Sequence, residues 1–137
     1  QPAPFPERLI GADPGALVDH AFDTWTSRPE AVDEAARRAY RAALTPGAIA
    51  AICADYRAAF HIDRRHDAED RAARRRIEVP LLVAVGADEG QLGDAADVWR
   101  PWAARLTATR VPGGHFVPEE APGPLVAALA GFLAEHA

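Results

Sequence analysis

The 137-residue chain contains no methionine and no lysine, and it has one cysteine. A translated chain begins with methionine and this one begins with Gln1, so a segment upstream of it is expected. Arginine supplies all 15 basic side chains, a bias that reads as codon usage and carries no chemistry. A single cysteine excludes an internal disulfide framework and a Cys-based zinc cluster. Cys53 falls in the apolar run AIAAICADY, where a buried, inert thiol is expected. No stretch approaches the roughly 18 apolar residues of a membrane span. The leading QPAPFPERLI lacks the basic-then-apolar order of a signal peptide, which makes a cytoplasmic setting the expectation. Twenty acidic against 15 basic residues give a net charge of −5, and such a chain has no positive field for nucleic acid or an anionic membrane.

What is present is a chain that is 49% hydrophobic, enough for one globular domain or a large part of one, in two stretches of different character. Residues 1–12, with three prolines, read as an extended leading segment. Asp13-Pro14 has the signature of a helix start, followed by Leu17, Val18, Ala21, Phe22 and Trp25 at helical spacing. Ser27-Arg28-Pro29-Glu30 reads as a capping box that opens a second helix, running to about Leu44. Thr45-Pro46-Gly47 opens a third, with Ile49, Ile52, Cys53, Tyr56 and Phe60 on one stripe. The charged segment 63–76 reads as a solvated helix with pairs such as Asp67 and Arg71 four residues apart. At Ile77 the pattern changes. IEVPLLVAVGA is an unbroken apolar run, the mark of a strand buried on both faces of a parallel sheet. A helix follows over DAADVWRPWAARL, interrupted at Pro101, then a strand ending at Val111, and a last helix from Ala121 to His136 with Leu125, Leu129, Phe132 and Leu133 as its apolar stripe. The expected division is residues 1–76, all helical, and residues 77–137, a β-α-β-α unit. Two such strands cannot stand alone, so further strands are expected upstream.

In open α/β sheets reactive groups gather at the carboxyl ends of strands. Two such ends occur here, VGADEGQLGD and VPGGHF. The second delivers one histidine, His115, through a Gly-Gly turn from the last strand to the last helix. That placement resembles α/β-hydrolases, which run nucleophile, acid, histidine in chain order, with the histidine latest. VPLLVAVGADEG, DVWRPWA and GGHFVPEEAP together resemble the C-terminal half of a haloacetate (fluoroacetate) dehalogenase of the α/β-hydrolase superfamily. QPAPFPERLIGADP and CADYRAAFHIDRRHDAED resemble the cap inserted in that family. The resemblance covers essentially the whole chain. It implies a partial α/β-hydrolase fold: a helical cap followed by the last two parallel strands and their helices.

The resemblance also implies a reaction. An aspartate displaces halide from the α-carbon of a haloacid, leaving an ester on the enzyme, and a histidine deprotonates the water that hydrolyses it. His115 matches that histidine; neutral imidazole is a suitable base, its unperturbed pKa being about 6.5. Tyr56, in CADYRA, matches a cap tyrosine that donates to the departing halide, a task for an O–H group because fluoride is strongly hydrated. It also suits the core of a cap. Trp25 matches a tryptophan lining the substrate entrance, and serves equally as a core aromatic. Arg57 reads as structural, paired with Asp55 or Asp63. His20, His61, His66 and His136 form no metal spacing. The acid partner of the histidine lies upstream, or is Asp88 or Glu89 after the first strand. Glu119 and Glu120 read as carboxylates stabilising the start of the last helix, worth about 0.3–1 kcal/mol. The nucleophile has no counterpart in these residues, so the chain alone is expected to be inactive. The implied partners are a small haloacid and water, with no metal or organic cofactor, no nucleic acid and no membrane, and with room for a homodimer of the intact enzyme. An epoxide hydrolase-like enzyme and a non-catalytic truncated remnant are the alternatives.

Overall fold

A computed structural model describes residues 1–88 and 95–137. The chain falls into two compact units, Gln1–Thr24 with Val32–Ala73, and Trp25–Ala31 with Arg74–Ala137.

The first unit is helical. The leading segment is not extended: α1 runs from Phe5 to Ala12. Its prolines do not oppose the helix because Pro4 precedes it and Pro6 occupies its first turn, where a missing N–H costs nothing. Helix α2, Pro14–Thr24, starts as expected, the Asp13 carboxylate accepting from the Ala16 amide at 3.1 Å. The third helix, α3, begins later than the capping-box reading places it. It spans Glu34–Ala43 and is capped by Asp33, whose carboxylate accepts from the Ala36 amide at 2.8 Å, while Pro29–Ala31 is a single 3-10 turn. Helix α4, Pro46–Ala58, is capped by Thr45 as expected. One π turn, Ala59–Asp63, joins it to α5, Arg64–Ala72. Val18, Phe22, Val32, Ile49 and Cys53 form the buried apolar centre. Around it, the Phe22 and Tyr40 rings meet edge to face at 5.1 Å and the Arg37 guanidinium lies 5.5 Å over Phe22. Arg57 pairs with Glu7 of α1 at 2.6 Å rather than with Asp55 or Asp63. The partner comes from a distant segment that no local spacing announces.

The second unit is built on two parallel strands, β1 (Leu81–Gly86) and β2 (Leu106–Val111), paired in register from Leu81 with Leu106 to Gly86 with Val111. The ladder extends beyond both ends. The Ile77 amide donates to the Trp102 carbonyl at 2.8 Å, and the Ala87 amide to the Val111 carbonyl at 2.7 Å. Helix α6, Ala95–Trp99, stops before Pro101, and both α6 and the last helix pack on the two strands. A short helix α7, Val117–Glu120, precedes α8, Pro122–Glu135. The strands are not buried on both faces: β1 is mostly half-buried and half of β2 is exposed, and Leu129 and Leu133 of the α8 stripe are exposed. Among the described residues the sheet has two strands, which cannot cover that apolar surface.

Candidate active site

His115 lies just past the carboxyl end of β2, at the end of the turn Pro112-Gly113-Gly114. Two glycines are required there for different reasons. Gly113 has φ +132°, which L side chains rarely adopt, and a Cβ at Gly114 would stand 2.7 Å from the Ser27 amide nitrogen. The neighbouring strand contributes a third: a Cβ on Gly86 would stand 2.1 Å from the Gly114 carbonyl oxygen. The Asp88 amide then donates to the Gly113 carbonyl at 3.0 Å, tying the end of β1 to the histidine turn.

The imidazole is exposed and lies against the edges of a stacked pair of aromatic rings. Trp25 meets it edge to face at 5.4 Å and Phe116 at 5.1 Å, and these two rings stack on each other at 6.2 Å. The His115 amide donates to the Trp25 carbonyl at 3.1 Å. The structure therefore brings His115 and Trp25 together. Trp25 is 45% exposed, so the core alternative does not describe it.

Sequence reasoning missed Glu120. It is 4% exposed, so it is not a solvated carboxylate at a helix start. Its Oε2 accepts from the Ser27 amide (2.9 Å), the Ser27 hydroxyl (2.7 Å), the Arg28 amide (3.2 Å) and the Gly114 amide (3.0 Å); its Oε1 accepts from the Phe116 amide at 3.3 Å. The Arg28 guanidinium donates to its backbone carbonyl. Burial alone would raise its pKa, but the Ser27 hydroxyl and the amides of Gly114, Ser27 and Phe116 together hold it below the usual carboxylate value. These bonds also explain the late start of α3. The Ser27 hydroxyl and the Ser27 and Arg28 amides all donate to Glu120, so Ser27 does not open a helix. A local signal for this existed only in part: an acid five residues after a Gly-Gly-His turn is visible, its donors 92 and 93 residues away are not.

Tyr56 lies on α4 in the first unit with its side chain largely in solvent, at 74% exposure, and is not part of that unit's core. Asp88 is exposed in the turn after β1, and it engages the histidine turn through its amide. Glu89 lies outside the described residues. No group of three or more metal-ligating side chains occurs among the described residues, and no helix there is long and apolar enough to cross a membrane.

No family model matches the chain. It is 34% identical over 143 residues to a fluoroacetate dehalogenase of Burkholderia sp., a match that takes in 98% of this chain and 45% of that protein. A solved structure from Nostoc sp., provisionally described as an α/β hydrolase, superposes with a TM-score of 0.89 at 36% identity, over 97% of this chain and 46% of that one. The chain carries part of an α/β-hydrolase fold. A variant of a Pseudomonas aeruginosa protein, provisionally described as an epoxide hydrolase, matches this α/β-hydrolase portion with a TM-score of 0.84 at 35% identity, over 99% of the chain and 47% of its own length. The chain spans about half the length of the relatives it matches, which agrees with the C-terminal portion that its motifs suggest.

Proposed function

We propose that the chain is the cap-bearing C-terminal part of a haloacid dehalogenase, with His115 as the base that hydrolyses an aspartyl ester. The observation that carries this reading is the exposed imidazole at the carboxyl end of β2, on a turn closed against β1. In the proposed cycle an aspartate supplied by another part of the protein attacks the α-carbon and halide leaves. Neutral His115 removes a proton from water as its oxygen adds to the ester carbonyl. The bond from the carbonyl carbon to the ester oxygen then breaks, the His115 imidazolium gives its proton to that departing oxygen so that the 2-hydroxy acid leaves, and the aspartyl carboxyl releases the remaining water proton to solvent, which restores the carboxylate. Residues 1–76 serve as the helical cap and 77–137 as the core, except that Trp25–Ala31 and Arg74–Arg76 group with the core unit. In the cap, the solvent-facing phenol of Tyr56 is the donor for the leaving halide; in the core unit, Trp25 beside His115 lines the substrate entrance. The acid that orients His115 is supplied from upstream or by Asp88 or Glu89. The chemistry needs water and no metal or organic cofactor; the acidic charge argues against a nucleic-acid partner, and the setting is cytoplasmic.

The similarity to the Pseudomonas protein favours one second reading, an epoxide hydrolase, in which the same aspartate and histidine open an epoxide. The product of the complete reading frame separates the two. Fluoride release from fluoroacetate followed by 19F NMR supports dehalogenation; diol formed from an epoxide without fluoride release supports the other reading. In either case His115→Ala should lower turnover by about 10²-fold or more and leave a covalent ester visible by intact mass. An unimpaired His115→Ala enzyme refutes the assignment of the base.

A further inference from the structure

We infer that Glu120 is a positioning residue for His115, its carboxylate anchoring the backbone on both sides of the histidine. This rests on the reading of His115 as the base. Three successive amides, those of Gly114, His115 and Phe116, are all engaged. The outer two donate to the two oxygens of Glu120, and the middle one donates to the Trp25 carbonyl. The same carboxylate holds the amides of Ser27 and Arg28, two and three residues from that carbonyl. One buried anion thus fixes the turn that carries the imidazole and the strand of chain whose indole meets its edge.

The chemistry of the site requires an anion. Four donors converge on a single oxygen, Oε2, and a fifth points at Oε1. A carboxylate has only acceptor sites to offer them, whereas an amide of the same shape would turn an NH₂ toward at least one N–H. Burying a carboxylate is costly unless its lone pairs are satisfied, so its placement beneath the turn is sustained by these donors. The neighbouring Glu119 is only half-buried, so proximity to a helix start does not account for the burial of Glu120.

The test uses the product of the complete reading frame with Glu120→Gln and Ser27→Ala, the second removing one donor and no charge. Imidazole 15N signals of His115, assigned by their loss in His115→Ala, are read together with amide exchange at Gly114 and Phe116. In a folded Glu120→Gln protein the His115 signals should shift or broaden and both amides should exchange at least about tenfold faster. A displacement of about 1 Å at a reacting group costs on the order of 10²-fold, so kcat should fall by about that factor with KM nearly constant, and the ester should accumulate. Ser27→Ala should show the same changes, smaller. Unchanged His115 signals and amide protection in folded Glu120→Gln, or in Ser27→Ala if Glu120→Gln does not fold, overturn the proposal. The NMR arm decides this whatever the turnover of His115→Ala, so failure of the base assignment is separately visible.

Discussion

Substituting Gly86 by alanine adds one methyl group at the place where β1 passes beneath the histidine turn. The new carbon would stand 2.1 Å from the Gly114 oxygen, 2.5 Å from the Gly113 oxygen and 2.9 Å from the Gly114 carbonyl carbon. Comfortable contacts lie near 3.5 Å, so the turn must retreat by more than about 1 Å. It has little freedom to do so. The Gly113 carbonyl accepts from the Asp88 amide and the Gly114 amide donates to Glu120. The φ of Gly86 is outside the left-handed region, so the cost is steric and not torsional. Overpacking costs about 1–3 kcal/mol, and losing one hydrogen bond adds about 1, which gives about 3 kcal/mol in all. At roughly 4 °C per kcal/mol the melting temperature should fall by about 12 °C. Calorimetry combined with amide exchange at Asp88 measures both effects. A melting point within about 2 °C of the parent, with Asp88 still protected, would refute the close approach on which the placement of His115 depends.

Glu7, Asp19 and Glu120 all have native pKa values below their ordinary 4.5, 3.8 and 4.5. For Asp19 the chief cause is the hydrogen bond from Arg41. A lowered native pKa means that the unfolded chain binds more protons in acid, so this stability is present above about pH 5 and is lost as pH falls through the native values. Urea midpoints should therefore be flat from pH 7 to 5 and decline below; a midpoint unchanged to pH 3 contradicts the hydrogen bonding described. Asp33→Ala should destabilise the first unit by about 1 kcal/mol through loss of the α3 cap, whereas Glu30→Ala should leave helix content unchanged. Equal effects of the two in thermal melts would restore the capping-box reading.

Much of the fold was legible locally. Proline after an acceptor side chain marked the starts of α2 and α4, and the switch from helical spacing to an unbroken apolar run marked β1. Carboxyl-end logic then placed His115 at the tip of β2, and the parallel register with Gly86 opposite Val111 agrees with it. Two of the failures share one physical cause. Ser27 and Glu120 each suit a helix terminus, and local propensity offers no reason to join them, yet 93 residues of separation are closed by three hydrogen bonds from Ser27 and Arg28 amides and the Ser27 hydroxyl. Arg57 likewise found Glu7, 50 residues away, rather than its sequence neighbours. Periodicity and turn chemistry act within a few residues, so the sequence by itself determined most of the elements, their order and the position of His115 at the carboxyl end of β2. Which buried charge meets which donor depends on where distant backbone amides converge, and only the tertiary structure decided that.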